Sequence, residues 1–393
     1  MKIAIVNERI EVWRGGAETS GMEIASLLAE RGHDVHIFTT TNAQDVPGIS
    51  IHTVSPSRVL RTRRMVSFLR RVGEAIAREG CDVVHAISPM PTADVYQPRG
   101  GLLPEIVARN VATRPTASRR LFKRAMLAMN VKQRSQVALE RRIFREGGPV
   151  IACVSEYVAR QCREHYGAPE DRIRVIFNGV NPAPLSDAER ASQRADMRKE
   201  LGVADDELLL LFLAHNYRLK GINPLIEAIA RLVGGGFKSF RLLVAGRDNV
   251  VPYKRRVDAM GLEKYVTFTG PTKRATRFYA GADVCVHPTF YDPCSRVILE
   301  ALYYGLPSIT TAYNGASEVI RDGSNGFVID RPDDSGLLAR RIQDLASPTL
   351  REQFSINATA IRERIGMRRH VSELESLFEE TLERKGKRLS SGV

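Results

Sequence analysis

Residues 287–305 read HPTFYDPCSRVILEALYYG. A strand-like run, VCVHP, stops at Pro288, since proline brings no N–H to a sheet ladder. A short loop carries Asp292, Pro293, Cys294 and Ser295. An apolar helix then begins, with Glu300 inside it. Two acids eight residues apart, across a turn into a helix, either cap that helix or grip a ligand.

Strand, turn and helix repeat in both directions from this stretch. LLLLFLAH (208–215), RLLVAG (241–246), YVTFTG (265–270), DVCVHP (283–288), LPSITT (306–311) and GFVID (326–330) are short apolar runs between helical segments. IAIV (3–6), VHIF (35–38), VVHAI (83–87) and VIACV (150–154) repeat the pattern earlier, and RVIFNGV (174–180) closes that first unit. Apolar runs of this length suit buried parallel strands. The alternation predicts an α/β protein with two doubly wound, Rossmann-like domains and a ligand cleft between them. The polar stretch SDAERASQRADMRKELG reads as a connection between domains. The expected divisions are 1–185, 186–365 and a helical end at 366–393 that returns to the first domain or frays.

With 393 residues, two domains are the ordinary expectation. No run of 18 apolar residues is present, and MKIAIVNE is too short for a signal segment, so a cytoplasmic protein is expected. Five scattered cysteines without a CxxC pair argue for a reducing compartment. The net charge of +13 is local: residues 58–71 hold six Arg and residues 109–134 eight Lys or Arg, with no acid in either. Such stretches attract phosphate in nucleic acid, anionic lipid or nucleotide. In RRLFKRAMLAMNV, Phe122, Ala125, Met126 and Met129 recur at helical spacing beside Arg119, Arg120, Lys123 and Arg124. That pattern fits either an interfacial helix on the inner face of the cytoplasmic membrane or a helix with an ordinary buried face.

Three loops carry candidate chemistry. Gly15 and Gly16, just before a helix start, allow a ligand to approach the backbone, or make a plain turn. Arg218 and Lys220 follow the first strand of the second domain and suit a diphosphate, or a solvated loop. Ser295 is placed to cap its helix, and the amides of Ser295, Arg296 and Val297 are expected to face the cleft as an anion site. Glu300 needs a partner, either a sugar's vicinal hydroxyls or a neighbouring Arg. Asn314 and Gly315 make a turn, with Glu318 in the first turn of the following helix. Neither G-x-G-x-x-G nor a P-loop occurs, which removes support for nicotinamide and ATPase readings.

The series GGAE, NGV, LKG, AGRD, HPTFYDPCSRVILEALYYGLPSITT, YNGASEVI and DGSNGFVI resembles the retaining glycosyltransferases of family 4, which have the GT-B fold. The resemblance spans roughly residues 2–370 and is densest over 208–330. GGAE, MPTADVY (90–96) and the basic helical stretch resemble the lipopolysaccharide core α-glucosyltransferase branch. The resemblance implies that Asp292 lies near the donor sugar, that Glu300 binds the ribose and that intervening amides hold the diphosphate. It also implies that Lys220 and Arg218 neutralise the diphosphate and that Gly15 and Gly16 line the site from the first domain. Asp292 stands where the family has Glu, one methylene longer. His85-Ala86-Ile87 lacks the second His of a family pair. The expected function is transfer of a hexose, from a UDP sugar by the family's common choice, to a glycan or lipid-linked acceptor.

No Asp-x-Asp occurs, which fits metal-independent transfer without a further cofactor. Competing readings are a nucleic-acid-binding protein, a nucleotide-sugar 2-epimerase and a catalytically degenerate scaffold. No RRM, KH or zinc-finger pattern supports the first, so no nucleic acid is expected.

Overall fold

The computed structural model describes residues 1–11, 15–41, 46–55, 64–272 and 274–391, with side chains to 386. Arg58, Arg61 and Arg63 of the first basic stretch lie outside the described residues. The chain divides into two compact units, 1–179 with 366–393, and 180–365.

Unit 1 holds β1 (Lys2–Val6), β2 (Asp34–Thr39), β3 (Ile49–Thr53), β4 (Val83–Ala86), β5 (Val95–Tyr96), β6 (Val150–Cys153) and β7 (Ile173–Val175). They form one parallel sheet in the order β3-β2-β1-β4-β5-β6-β7. Unit 2 holds β8 (Leu208–Leu213), β9 (Phe240–Ala245), β10 (Val266–Gly270), β11 (Val284–Val286), β12 (Ser308–Thr311) and β13 (Gly326–Ile329). Its order is β10-β9-β8-β11-β12-β13, also parallel. Each sheet reverses direction beside its first strand, between β1 and β4 and between β8 and β11. Loops at the carboxyl ends of those strands therefore flank an open crevice, the usual ligand position in such sheets.

The stretch read as an interdomain connection is a helix, Asp187–Leu201. Ser186 and Glu189 form a reciprocal capping box at its start, and Gly202 ends it at φ 62°. It belongs to unit 2. Its Arg198 is buried and donates to Asp283 Oδ2 at 3.1 Å, while Arg194 donates to Asp283 Oδ1 at 2.7 Å. A buried guanidinium held by a carboxylate is a fixed structural contact rather than a linker property.

The last helix, Met367–Ser391, packs in unit 1. Val371, Leu374, Leu377 and Phe378 join the core of Ile3, Ile5, Ile24 and Leu28. This packing explains the NGV motif. A Cβ on Gly179 would sit 2.8 Å from Met367 Cα, so only glycine lets the helix approach. Asn178 accepts a hydrogen bond from the buried Arg99, which also donates to Gln97 Oε1 at 2.9 Å. His370 lies 3.2 Å from Arg99 Nη1 and donates Nδ1–H to Phe177 O at 2.8 Å. Among the described residues, no helix is long and apolar enough to cross a membrane. All five cysteines are free thiols.

Candidate active site

In unit 2 the loop after β8 meets the loop after β11. Gly221 makes this possible. Its φ is +87°, and a Cβ there would fall 2.0 Å from Pro288 O. Leu219 O accepts from Phe290 N at 2.8 Å and from Thr289 Oγ1 at 3.1 Å. From the other side, Asp248 of AGRD accepts from Tyr217 N at 2.6 Å, and Tyr217 OH donates to Gly246 O at 3.0 Å. Gly246, at φ +116°, lets β9 end against Ala214 O, where a Cβ would come to 1.9 Å. The LKG and AGRD motifs are thus one built corner.

That corner delivers Lys220. Its Nζ donates to Asp292 Oδ2 at 2.7 Å and to Tyr291 O at 3.0 Å. The pair is partly shielded, with side chains 18% and 15% exposed. Asp292 therefore pairs with a cation instead of capping the helix. The Arg218 side chain is exposed and makes no hydrogen bond or ion pair among the described residues. His287 is buried near this pair, and neither ring nitrogen has a partner. Burial first, then the charge of Lys220, pushes its pKa down to about 3. It is a neutral imidazole at pH 7.

The loop after β12 is stitched to the same place. Asp292 N donates to Tyr313 O at 2.9 Å, and Gly315 N donates to Asp292 O at 3.0 Å. Three expectations change here. Ser295 occupies the position before helix Arg296–Tyr303, but its side chain makes no capping bond. Its amide, expected to be open to an anion, donates instead to Asn314 Oδ1 at 3.1 Å. Asn314 Oδ1 also accepts from Ala316 N, so one side chain organises two turns. Arg296 and Val297 form the first helical turn. Glu318 lies in a short 3-10 turn, Gly315–Val319, rather than a full helix.

Glu300 already has two donors. Arg296 Nη2 donates to Oε1 at 3.1 Å, and the buried Tyr279 OH donates to Oε2 at 2.9 Å. The Arg partner considered from sequence is present. A carboxylate has about four lone-pair positions, so two donors fix its orientation and leave acceptor capacity. Burial, then Glu300, pushes the Tyr279 phenol well up, so it stays a donor.

Gly15 and Gly16 lie in unit 1 at the carboxyl end of β1. Gly15 is extended, with φ 176°, and Gly16 is already the first residue of helix Gly16–Glu30. His85, on β4, is fully buried, and burial, then Arg99, pushes its pKa down to about 3.

Sequence reasoning missed Tyr279, Asn314 and His287. Tyr279 meets Glu300 across 21 residues with no local signal. Asn314 was legible only as a turn residue.

The neutral histidines carry a pH prediction. Folded His85 and His287 bind protons far more weakly than unfolded histidine at about 6.5. Their contribution is complete above pH 6.5 and is lost as pH falls toward 3. Each costs about 1.4 kcal/mol per pH unit in that window. Urea midpoints should drop steadily from pH 7 to pH 5, with a shallower slope in His287→Gln. A flat profile contradicts neutral burial.

Two tandem doubly wound units of parallel sheet are the architecture of the GT-B class of fold. Two family models match in succession: Glycosyltransferase Family 4 over residues 14–184 and Glycosyl transferases group 1 over residues 193–360. The chain thus carries both glycosyltransferase domains in succession and is a glycosyltransferase. Lipopolysaccharide glucosyltransferase WaaG of Escherichia coli (strain K12) is 25% identical over 320 residues, covering 81% of this chain and 82% of that protein. The crystal structure of WaaG, a glycosyltransferase involved in lipopolysaccharide biosynthesis, matches with a TM-score of 0.79 at 22% identity, covering 96% and 99% of the two chains. Anabaena Alr3699/HepE in complex with UDP and glucose matches with a TM-score of 0.72 at 20% identity, covering 97% and 100%.

Proposed function

We propose a retaining, metal-independent hexosyltransferase that uses a UDP sugar and a glycan or lipid-linked acceptor of lipopolysaccharide-core type. The observation that carries this reading is the meeting of Lys220 with Asp292 at the switch point of unit 2, with Glu300 oriented eight residues on. Lys220 and the exposed Arg218 supply cations for the departing diphosphate. Glu300 keeps lone pairs for ribose hydroxyls. Gly15 and Gly16 contribute main chain, as do Arg296 and Val297 at the helix start. The family resemblance supports retention. The UDP donor and the acceptor class are supported by the names of the WaaG and HepE relatives.

Thermal unfolding with UDP, GDP, ADP and NAD at matched concentrations tests the reading. A nucleotide at 100 times its Kd adds about 2.7 kcal/mol. UDP should stabilise, NAD should not, and hexosyl transfer from the UDP sugar should persist in EDTA. No shift with any nucleoside diphosphate would favour a scaffold.

The acceptor side carries a membrane reading. Helix Ala117–Ala128 has no buried residue. Phe122 and Met129 are 72% and 73% exposed, and Leu121 and Val131 are exposed beside them. Within this chain the helix therefore has no buried face, which supports the lipid reading. Apolar side chains among Arg119, Arg120, Lys123 and Arg124 suit an anionic lipid surface. The protein should pellet with anionic vesicles at low salt, and Phe122→Ser with Met129→Ser should release it. A wild-type chain left in the supernatant would sink the idea.

A further inference from the structure

Unit 1 holds a second cluster of chemistry-bearing side chains, and it shares no residue with the donor site. His36 lies on β2 and His52 on β3. The strands are parallel, with His36 opposite Ser50 and Phe38 opposite His52. Period-two alternation therefore puts both imidazoles on one face. Glu79 ends helix Arg64–Glu79, the crossover from β3 to β4, and reaches the same point. His36 Nδ1 is 2.8 Å from His52 Nε2 and 3.9 Å from Glu79 Oε2. Glu79 Oε1 is 3.9 Å from His52 Nδ1. One ligand atom from each of the three residues lies within 4.8 Å of the others.

The outer contacts prepare these groups. His36 Nε2 is 3.0 Å from Asp34 Oδ1. A carboxylate only accepts, so Nε2 carries the proton and Nδ1 presents its lone pair to His52. A carboxylate behind an imidazole is the arrangement that orients metal-ligating histidines. Phe38 stacks on His52 at 4.6 Å between ring centroids and holds the second ring. His36 is buried, whereas His52 and Glu79 are 28% and 35% exposed. Both border a pocket of about 520 Å³ that also touches Ser55, Arg71 and Glu74. An ion would have an entry path and a water-facing position.

We propose that His36 Nδ1, His52 Nε2 and the Glu79 carboxylate bind one divalent transition-metal ion, zinc in the first instance, with water as fourth ligand. Two imidazoles and one carboxylate suit zinc in a tetrahedral site with an open position. Bonds of about 2.0–2.1 Å require the two nitrogens to part from 2.8 Å to about 3.3 Å. The partly exposed His52 supplies that movement. Lys2 is the competing cation: its Nζ is 3.2 Å from Glu79 Oε2. It also donates to Glu79 O at 2.8 Å, and keeps that partner when the carboxylate turns to the ion. The bound ion pins the β2–β3 edge to the crossover helix.

The test is titration of ZnCl2 into the untagged, chelator-stripped full chain by calorimetry, with the visible spectrum of the Co²⁺ form as second readout. One zinc per chain is expected, with intense tetrahedral cobalt bands. His52→Ala and Glu79→Gln each should weaken binding at least tenfold. Asp34→Asn should weaken it about 10–100-fold. Glu79→Gln is isosteric and half-exposed, so it keeps the test informative should His52→Ala unfold. Absence of stoichiometric binding, or full affinity retained in folded His52→Ala or Glu79→Gln, overturns the site.

Discussion

Lys220→Ala should lower the turnover of UDP-sugar transfer by about 10²–10³-fold, the cost of losing one preorganised group that meets developing negative charge. Lys220 is the ammonium held at the switch point of unit 2, and under the proposed function its removal takes that charge from the departing diphosphate. The same change strands Asp292, whose side chain is only 15% exposed. Stability should fall by about 1–3 kcal/mol, between the values for exposed and buried pairs. The double variant Lys220→Ala, Asp292→Asn separates the two effects. It removes the unpaired carboxylate and should recover most of the stability, while turnover stays low. Rate and stability recovering together would make Lys220 a structural residue only.

Gly221→Ala should be strongly damaging for so small a substitution. Alanine at φ +87° costs about 1–2 kcal/mol. Its Cβ would also lie 2.0 Å from Pro288 O, a backbone atom that must move. Overpacking of this kind adds about 1–3 kcal/mol. The displacement parts the 219–221 loop from the 288–292 loop, so Lys220 leaves Asp292 and UDP affinity falls as well. Gly202→Ala is the control. Its φ is +62° with nothing within 4 Å of the new Cβ, so it pays the conformational cost alone. Denaturant unfolding of both variants measures the difference. Equal losses would mean that the close approach to Pro288 contributes nothing.

Strands β8, β9, β11 and β13 of unit 2 were legible because each is a mainly apolar run largely buried on both faces. Leu208–Leu213 is the clearest case. Two strands of unit 1 were not. ISIHT of β3 is half-exposed at the sheet edge and alternates apolar with polar, and β5 is two residues long. The helix Asp187–Leu201 was read as a connection because it buries only Met197 and Arg198. Its capping box was the signal available. In the site, the Asp292–Glu300 spacing and the Lys220-Gly221 pair could be read directly. Their assembly could not, because Lys220 and Asp292 are 72 residues apart and meet only through the β8–β11 crossover. The fate of the Ser295 amide was hidden for the same reason, since its acceptor Asn314 lies 19 residues away on the loop after β12.

The most direct measurement is calorimetric titration of UDP into the wild-type chain, Lys220→Ala and Glu300→Ala. Saturable one-to-one binding to the wild type, weakened at least tenfold in each variant, is the expected result. Equal UDP affinity in all three folded proteins would contradict the placement of the nucleotide at these loops of unit 2.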